Sequence, residues 1–237
     1  VGTGAASLAD HPHHASLFPR SSRHGHLPQR RAFPLPRGHS RGWHRAASCG
    51  IRAGCPENLA GNTSVERIAV IDFETTGLSP AQGDRATEIA AVILEGGRVV
   101  DRYQSLMNAG VRVPAHIEAL TGISNAMLRE APPAADVMRA VADFVGDSPL
   151  VAHNAAFDAR FWDAELARIT RKRQQEFACS LLLARRLLPQ APSHKLGALI
   201  EFTRLPVAGR YHRALADAEM AASLLLRLEA ELVARHQ

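Results

Sequence analysis

Four acidic residues and one histidine stand where chemistry could be done. Asp72 and Glu74 follow the apolar run Ile68-Ala69-Val70-Ile71. Side chains two apart on a strand face the same side, so both carboxylates enter one space. Packing has no use for an Asp at the end of so apolar a strand, although strand-end acids are also common as solvated or capping groups. Asp158 closes the segment His153-Asn154-Ala155-Ala156-Phe157-Asp158, just after the apolar Leu150-Val151-Ala152. Loops at the carboxyl ends of strands are where layered α/β proteins place ligands. An Asp in the first turn of a helix also suits the helix dipole. Asp217 precedes Met220, Leu224 and Leu228, the spacing of a buried helical stripe. A carboxylate on such a stripe needs a cation or a hydrogen-bond partner. A metal ion would serve, and so would Arg213 one helical turn earlier.

Taken together, the four acids point to metals. Two carboxylates about 4 Å apart repel by roughly 4 kcal/mol at an effective dielectric of about 20. Four converging groups need compensation, and two Mg²⁺ or Mn²⁺ ions would supply it through hard oxygen ligands. Paired metals about 4 Å apart suit in-line displacement at phosphorus, with water activated and the charged oxygens steadied. His212, five residues before Asp217, adds a side-chain type that exchanges protons near neutral pH.

The elements that must hold these residues read as an α/β layer. The run ending at Asp72-Phe73 predicts a buried central strand. Glu88–Leu94 and Arg98–Leu106 predict two more, joined by the hairpin signal Gly96-Gly97 and so antiparallel. Helices are expected over Ala134–Val145, Ala155–Ile169, Lys195–Thr203 and His212–Arg235. Leu150-Val151-Ala152 supplies a fourth strand, and Phe177–Leu188 reads as a short strand running into a helix. Strands followed by alternating helix and strand predict a mixed sheet flanked by helices.

Three segments then carry a resemblance. Asp72-Phe73-Glu74-Thr75-Thr76-Gly77-Leu78 resembles the first motif of the DnaQ-like (DEDDh) 3′→5′ exonucleases. His153 to Asp158 is similar to the second motif, and His212-Arg213-Ala214-Leu215-Ala216-Asp217 to the third. Ile117-Glu118-Ala119-Leu120-Thr121-Gly122-Ile123 resembles a substrate-pocket segment of the same family, which includes the epsilon proofreading subunit of bacterial DNA polymerase III. The resemblance covers about residues 66–233. It implies a ribonuclease-H-like fold with a five-stranded mixed sheet. It implies that Asp72 bridges two metals, that Glu74 and Asp217 serve the water-activating one, and that Asp158 serves the leaving-group one. His212 would be the general base. A sister group carries Tyr four residues before its last Asp, where this chain has Arg213, so the histidine subclass is indicated. Thr75, Thr76 and Gly77 would line the terminal sugar, with Leu78, Leu120 and Phe157 against the base and Asn154 nearby. The oligoribonuclease branch shows Met where this chain has Thr75, which favours single-stranded DNA 3′ ends over RNA as substrate. An exoribonuclease is the alternative, and an inactive nucleic-acid- or polymerase-binding module the other class. The helix bearing Asp217 runs almost to Gln237, so no polymerase-binding segment is expected after it.

Charge divides the chain. Of 28 Lys and Arg and 23 acids, residues 1–64 hold eight and two, together with seven of the twelve His. The segment shows no period and is expected to be a disordered basic tail, since it cannot bury enough apolar surface. Its Arg-rich character also fits a transit peptide, or upstream sequence ahead of a true start near residue 64. Residues 65–237 are expected to form the exonuclease domain. Within it, residues 168–213 hold ten basic side chains against Glu176 and Glu201, a footprint for a polyanion. The run Arg171-Lys172-Arg173 could grip phosphates, although such a run is more often a solvated loop. Cys49, Cys55 and Cys179 are too scattered for a disulfide framework. No run reaches the roughly 20 apolar residues a membrane span needs. The expected location is cytoplasmic.

Overall fold

The structure is a computed structural model that describes residues 67–207 and 209–236. The reading of residues 1–64 as a disordered tail falls outside the described residues. Five strands form one sheet: β1 (Arg67–Thr75), β2 (Ala86–Glu95), β3 (Arg98–Leu106), β4 (Leu150–Ala152) and β5 (Phe177–Cys179). Their order is β3-β2-β1-β4-β5. The first three strands are antiparallel neighbours, while β4 lies parallel to β1 and β5 parallel to β4. The β2–β3 turn is the predicted one, with Gly96 and Gly97 both at positive φ, 54° and 73°. That backbone hand matches the twist of the flanking strands.

β1 is the middle strand, and its alternation sorts the two layers. Ala69, Ile71 and Phe73 pack with Met138, Val141, Phe161 and Trp162. The last four belong to α3 (Ala134–Val145) and α4 (Ala155–Arg168). Phe161 and Trp162 are fully buried, and truncating either would cost about 3–5 kcal/mol. Val70 faces the other way, onto Ala214, Ala218, Ala221 and Ala222 of α7 (Ala214–His236). Alanines on that face let the long helix lie close to the sheet. Asp72 and Glu74 share the parity of Val70, so they emerge on the α7 side at the carboxyl end of β1. A bulge between Glu74 and Thr75 then ends the regular pairing with β2. Bulges increase local twist and re-aim side chains.

α5 (Ser180–Leu187) and α6 (Leu196–Phe202) complete a third cluster with α7, through Ala184, Leu187, Leu199, Met220, Leu224 and Leu228. Two helices were not foreseen, α1 (Ala115–Thr121) and α2 (Asn125–Glu130). Each is two turns or less, too short to display a helical stripe. One expectation needs correction. The last helix begins at Ala214, not His212, because His212 sits at φ 60° outside the helical region. No described helix is long and apolar enough to cross a membrane.

Candidate active site

Three elements bring the four acids together. Asp72 and Glu74 come from the end of β1, Asp158 from the first turn of α4, and Asp217 from the first turn of α7. β4 pairs with β1 only as far as Val70, so the next part of that β1 edge has no strand beside it. Asp158 takes the place of one, its Oδ1 accepting the Phe73 N–H at 3.2 Å. The second motif is thereby pinned between Asp72 and Glu74. Glu74, His212 and Asp217 each bring a ligand-type atom within 4.8 Å of the others.

The electrostatics of this cluster are unfavourable as they stand. Burial pushes the Asp72 carboxyl well above the ordinary range, and the charges of Asp158, Asp217, Glu74 and Glu88 push the same way. Burial raises Glu74 to about 8, with Asp217 and Glu88 adding to it and Arg213 drawing it back. Asp158 also reaches about 8 through burial, against backbone hydrogen bonds that favour its charge. Asp217 is raised by burial and eased by the His212 N–H. Hard carboxylate oxygens this short of positive charge fit divalent cations such as Mg²⁺ or Mn²⁺. Asp72, Glu74, Asp158 and Asp217 are the residues that could hold them.

His212 is held by its backbone. Its N–H donates to Asp217 Oδ2 at 2.8 Å, while its side chain stays exposed. A histidine at positive φ costs of order 1–3 kcal/mol and persists only where its surroundings impose it. Here they do, through Glu88. This β2 carboxylate is fully buried and accepts from Arg213 Nε at 3.1 Å and a second guanidinium nitrogen at 2.7 Å. It also accepts the Ala214 N–H at 3.1 Å and Gln104 Nε2 at 2.8 Å. Glu88 thus caps α7 from the neighbouring strand β2 and fixes the residue after His212. Burial works against the Glu88 charge, but these hydrogen bonds outweigh it and leave its pKa below the usual value. Arg213 is therefore the partner of Glu88, not the ion-pair partner of Asp217 that the sequence also allowed.

A cavity of about 240 Å³ opens beside the acids, with Thr75, Gly77, Leu78, Leu120 and Phe157 in its wall. Leu78 is 77 % exposed and Leu120 47 %, so neither is ordinary core. Two predicted substrate residues lie elsewhere. Thr76 is buried and does not line this cavity. Its hydroxyl donates weakly to Asp84 Oδ1 at 3.5 Å and accepts the Arg85 N–H at 3.0 Å. Asn154 lines a different cavity, with His153 and Lys195.

The exonuclease family model RNase_T matches residues 69–225. The chain belongs to this exonuclease family. It is 38 % identical over 173 residues to the PolC-type DNA polymerase III of Oceanobacillus iheyensis, covering 73 % of this chain and 12 % of that one. It is 36 % identical over 164 residues to the 3′-5′ exonuclease DinG of Bacillus subtilis, covering 69 % and 18 %. The chain thus spans a small part of the length of these relatives. Among solved structures, exonuclease X in complex with 5′-overhanging duplex DNA is similar at a TM-score of 0.58 and 29 % identity, covering 69 % of this chain and 91 % of that one. The mixed five-stranded sheet flanked by helices is the ribonuclease-H-like fold of these exonucleases.

Sequence reasoning missed two supports of the exonuclease site. Glu88 is one, and its only local signal was an acid inside an apolar strand. Asp84 is the other. It accepts the Ser79 N–H at 3.0 Å and lies so near Gly77 that a Cβ there would stand 2.4 Å from its carboxylate oxygens. Gly77 is thus the residue that lets this loop close on itself.

Proposed function

We propose that this chain is a metal-dependent 3′→5′ exonuclease that releases nucleotides from the 3′ end of single-stranded DNA, in proofreading or repair. One observation carries the reading: four carboxylates gather with no cation among them, and three of these, Asp72, Glu74 and Asp217, border a cavity with room for a single nucleoside. Asp72, Glu74, Asp158 and Asp217 would hold two divalent ions. Such ions, when bound, polarise the phosphate and lower the pKa of a bound water. Thr75 and Gly77 meet the terminal sugar, while Leu78, Leu120 and Phe157 offer apolar surface to its base. His212, at the mouth, takes a proton from the attacking water on an imidazole nitrogen. Water oxygen bonds to phosphorus, and the bond to the 3′ oxygen of the preceding nucleotide breaks as that oxygen takes a proton from solvent. A nucleoside 5′-monophosphate leaves, and the strand ends in a new 3′ hydroxyl.

The test is a 5′-labelled single strand, as DNA and as RNA, incubated with Mg²⁺, Mn²⁺ or EDTA. Stepwise shortening of DNA with either metal, blocked by EDTA and slower on RNA, is the expected result. No shortening with either metal would sink the activity. Faster shortening of RNA would overturn the substrate and keep the chemistry.

A further inference from the structure

Two further cavities continue from the acids on the side away from the nucleoside cavity. The first, about 480 Å³, shares Asp72, His212 and Asp217 with it and adds Lys195, Gly197 and Tyr211. The second, about 550 Å³, shares His153, Lys195 and Leu196 with the first and adds Arg185 and His194. The nucleoside cavity shares no residue with the second, so the three lie in one order with the acids between the first two members.

The walls of this extension change character. The Tyr211 ring lies against the backbone of Gly197, where a Cβ would stand 3.3 Å from it, and is 37 % exposed. Lys195 and Arg185 are exposed, and neither side chain has an ion-pair or hydrogen-bond partner among the described residues. Three of the other basic groups of this region are neutralised by pairing. Arg171 pairs with Asp143 at 2.7 Å, Arg173 with Asp163 at 2.8 Å and Arg213 with Glu88 at 2.7 Å. The run first suspected of gripping phosphates is therefore largely neutralised, while two free cations line the groove leading from the acids. His153 forms its floor, with Nδ1 3.0 Å from Ser180 Oγ and Nε2 2.9 Å from the His194 carbonyl. Burial lowers its pKa, so it belongs to the scaffold and not to the charged lining.

We infer that this groove is a track for the strand behind the scissile bond: Tyr211 stacks on the base of the penultimate nucleotide, and Lys195 and then Arg185 neutralise the phosphates that follow it. The inference rests on the exonuclease reading, which fixes the terminal nucleoside on the opposite side. The chemistry recognised is shared by single-stranded DNA and RNA, a phosphate backbone and an aromatic base face. The track would hold the shortened strand after each cleavage, so that its next phosphate need move only one step.

The test is the double variant Lys195→Ala/Arg185→Ala, with Arg171→Ala as control. Binding of 5′-fluorescein dinucleotides and octanucleotides, as DNA and RNA, is followed by anisotropy in Ca²⁺ across a salt titration. Two lost phosphate contacts should lower the salt slope by about 1.4 on a single strand, where each contact is worth about 0.7. Octanucleotide affinity should fall about tenfold at low salt, more than that of the dinucleotide, and alike on DNA and RNA. Arg171→Ala should bind as the parent does. An unchanged slope, equal weakening at both lengths, or a loss confined to one nucleic acid would overturn the track. With the parent still hydrolysing DNA, such a result leaves the exonuclease reading standing. A parent that neither binds nor hydrolyses either nucleic acid removes both.

Discussion

Glu74 and Glu88 lie directly opposite each other on β1 and β2, both buried, yet the protein treats them in opposite ways. Glu88 receives four hydrogen bonds, two of them from a guanidinium, and keeps its charge. Glu74 faces Asp217 across the cluster and is raised to about 8. Like charges directly opposite on paired strands are destabilising. Compensating only one of them divides the labour. Glu88 has a permanent cation and acts as a structural tie. Glu74 and its three neighbours lack one, and so present a charge deficit that an exchangeable divalent ion can fill.

The largest effect is expected from breaking the uncompensated side. Asp72→Ala should abolish hydrolysis, with a loss of at least about 10²-fold, the minimum for a catalytic group. Removing a raised carboxyl from a repulsive cluster should also let the metal-free protein melt higher than the parent. Turnover with Mg²⁺ and melting without it measure the two halves. Activity kept above about a tenth of the parent would exclude Asp72 from the metal set. His212→Ala should slow the chemical step by about 10²–10⁴-fold with little loss of DNA binding. Its rate should lose the rising limb that the parent shows with increasing pH. Profiles of the same shape would mean that another group takes the proton.

Breaking the compensated side should act on the fold first. Arg213→Ala leaves a buried charge with only Gln104 and the Ala214 N–H, and losing one partner of such a pair costs about 3 kcal/mol or more. Because Arg213 is itself partly exposed, the lower figure is expected. Activity should fall as well, since the α7 start and the His212 backbone lose their tie. Denaturant unfolding and turnover on one preparation test this. Unchanged stability would show that water replaces the guanidinium and that Glu88 does not organise the site.

Much of the uncompensated cluster was legible because local patterns expose it. Asp72 and Glu74 end an apolar strand at a period of two, and Asp217 heads the Met220-Leu224-Leu228 stripe. The motif resemblance joined them to Asp158 and His212, and the sheet followed from short apolar runs and one glycine pair. The compensated site was not legible. Arg213 and Glu88 are 125 residues apart, and no local pattern links them. The positive φ of His212 is imposed from outside its own segment, so the helix start was read two residues early. The resemblance placed Thr75 and Thr76 together on the sugar, but the bulge after Glu74 re-aims the chain and Thr76 turns to Asp84 and Arg85 instead. The Arg171 and Arg173 charges vanish into Asp143 and Asp163, pairings that only the fold reveals.

The smallest effect, and the most direct measure of the charge deficit, is the pH dependence of the metal-free protein. Glu74 moves from 4.5 to about 8 on folding, and Asp158 from 3.8 to about 8. An acid whose folded pKa is raised holds its proton in the folded state after the unfolded chain has released it. Its contribution to stability is full below the unfolded pKa and is lost as pH climbs through the folded one. Glu74 should therefore make the metal-free protein less stable from about pH 4.5 up to about 8. Burial lowers the pKa of His153, which acts with the opposite sign as pH rises toward 6.5, so the parent curve alone is ambiguous. Subtracting the curve of Glu74→Gln removes that common part. The parent should lose stability relative to Glu74→Gln with rising pH, and Mg²⁺ should raise the parent's Tm most at the alkaline end, where no proton need be displaced. Parallel Tm curves for parent and variant across this range would mean that Glu74 is already compensated, and the contrast with Glu88 would not hold.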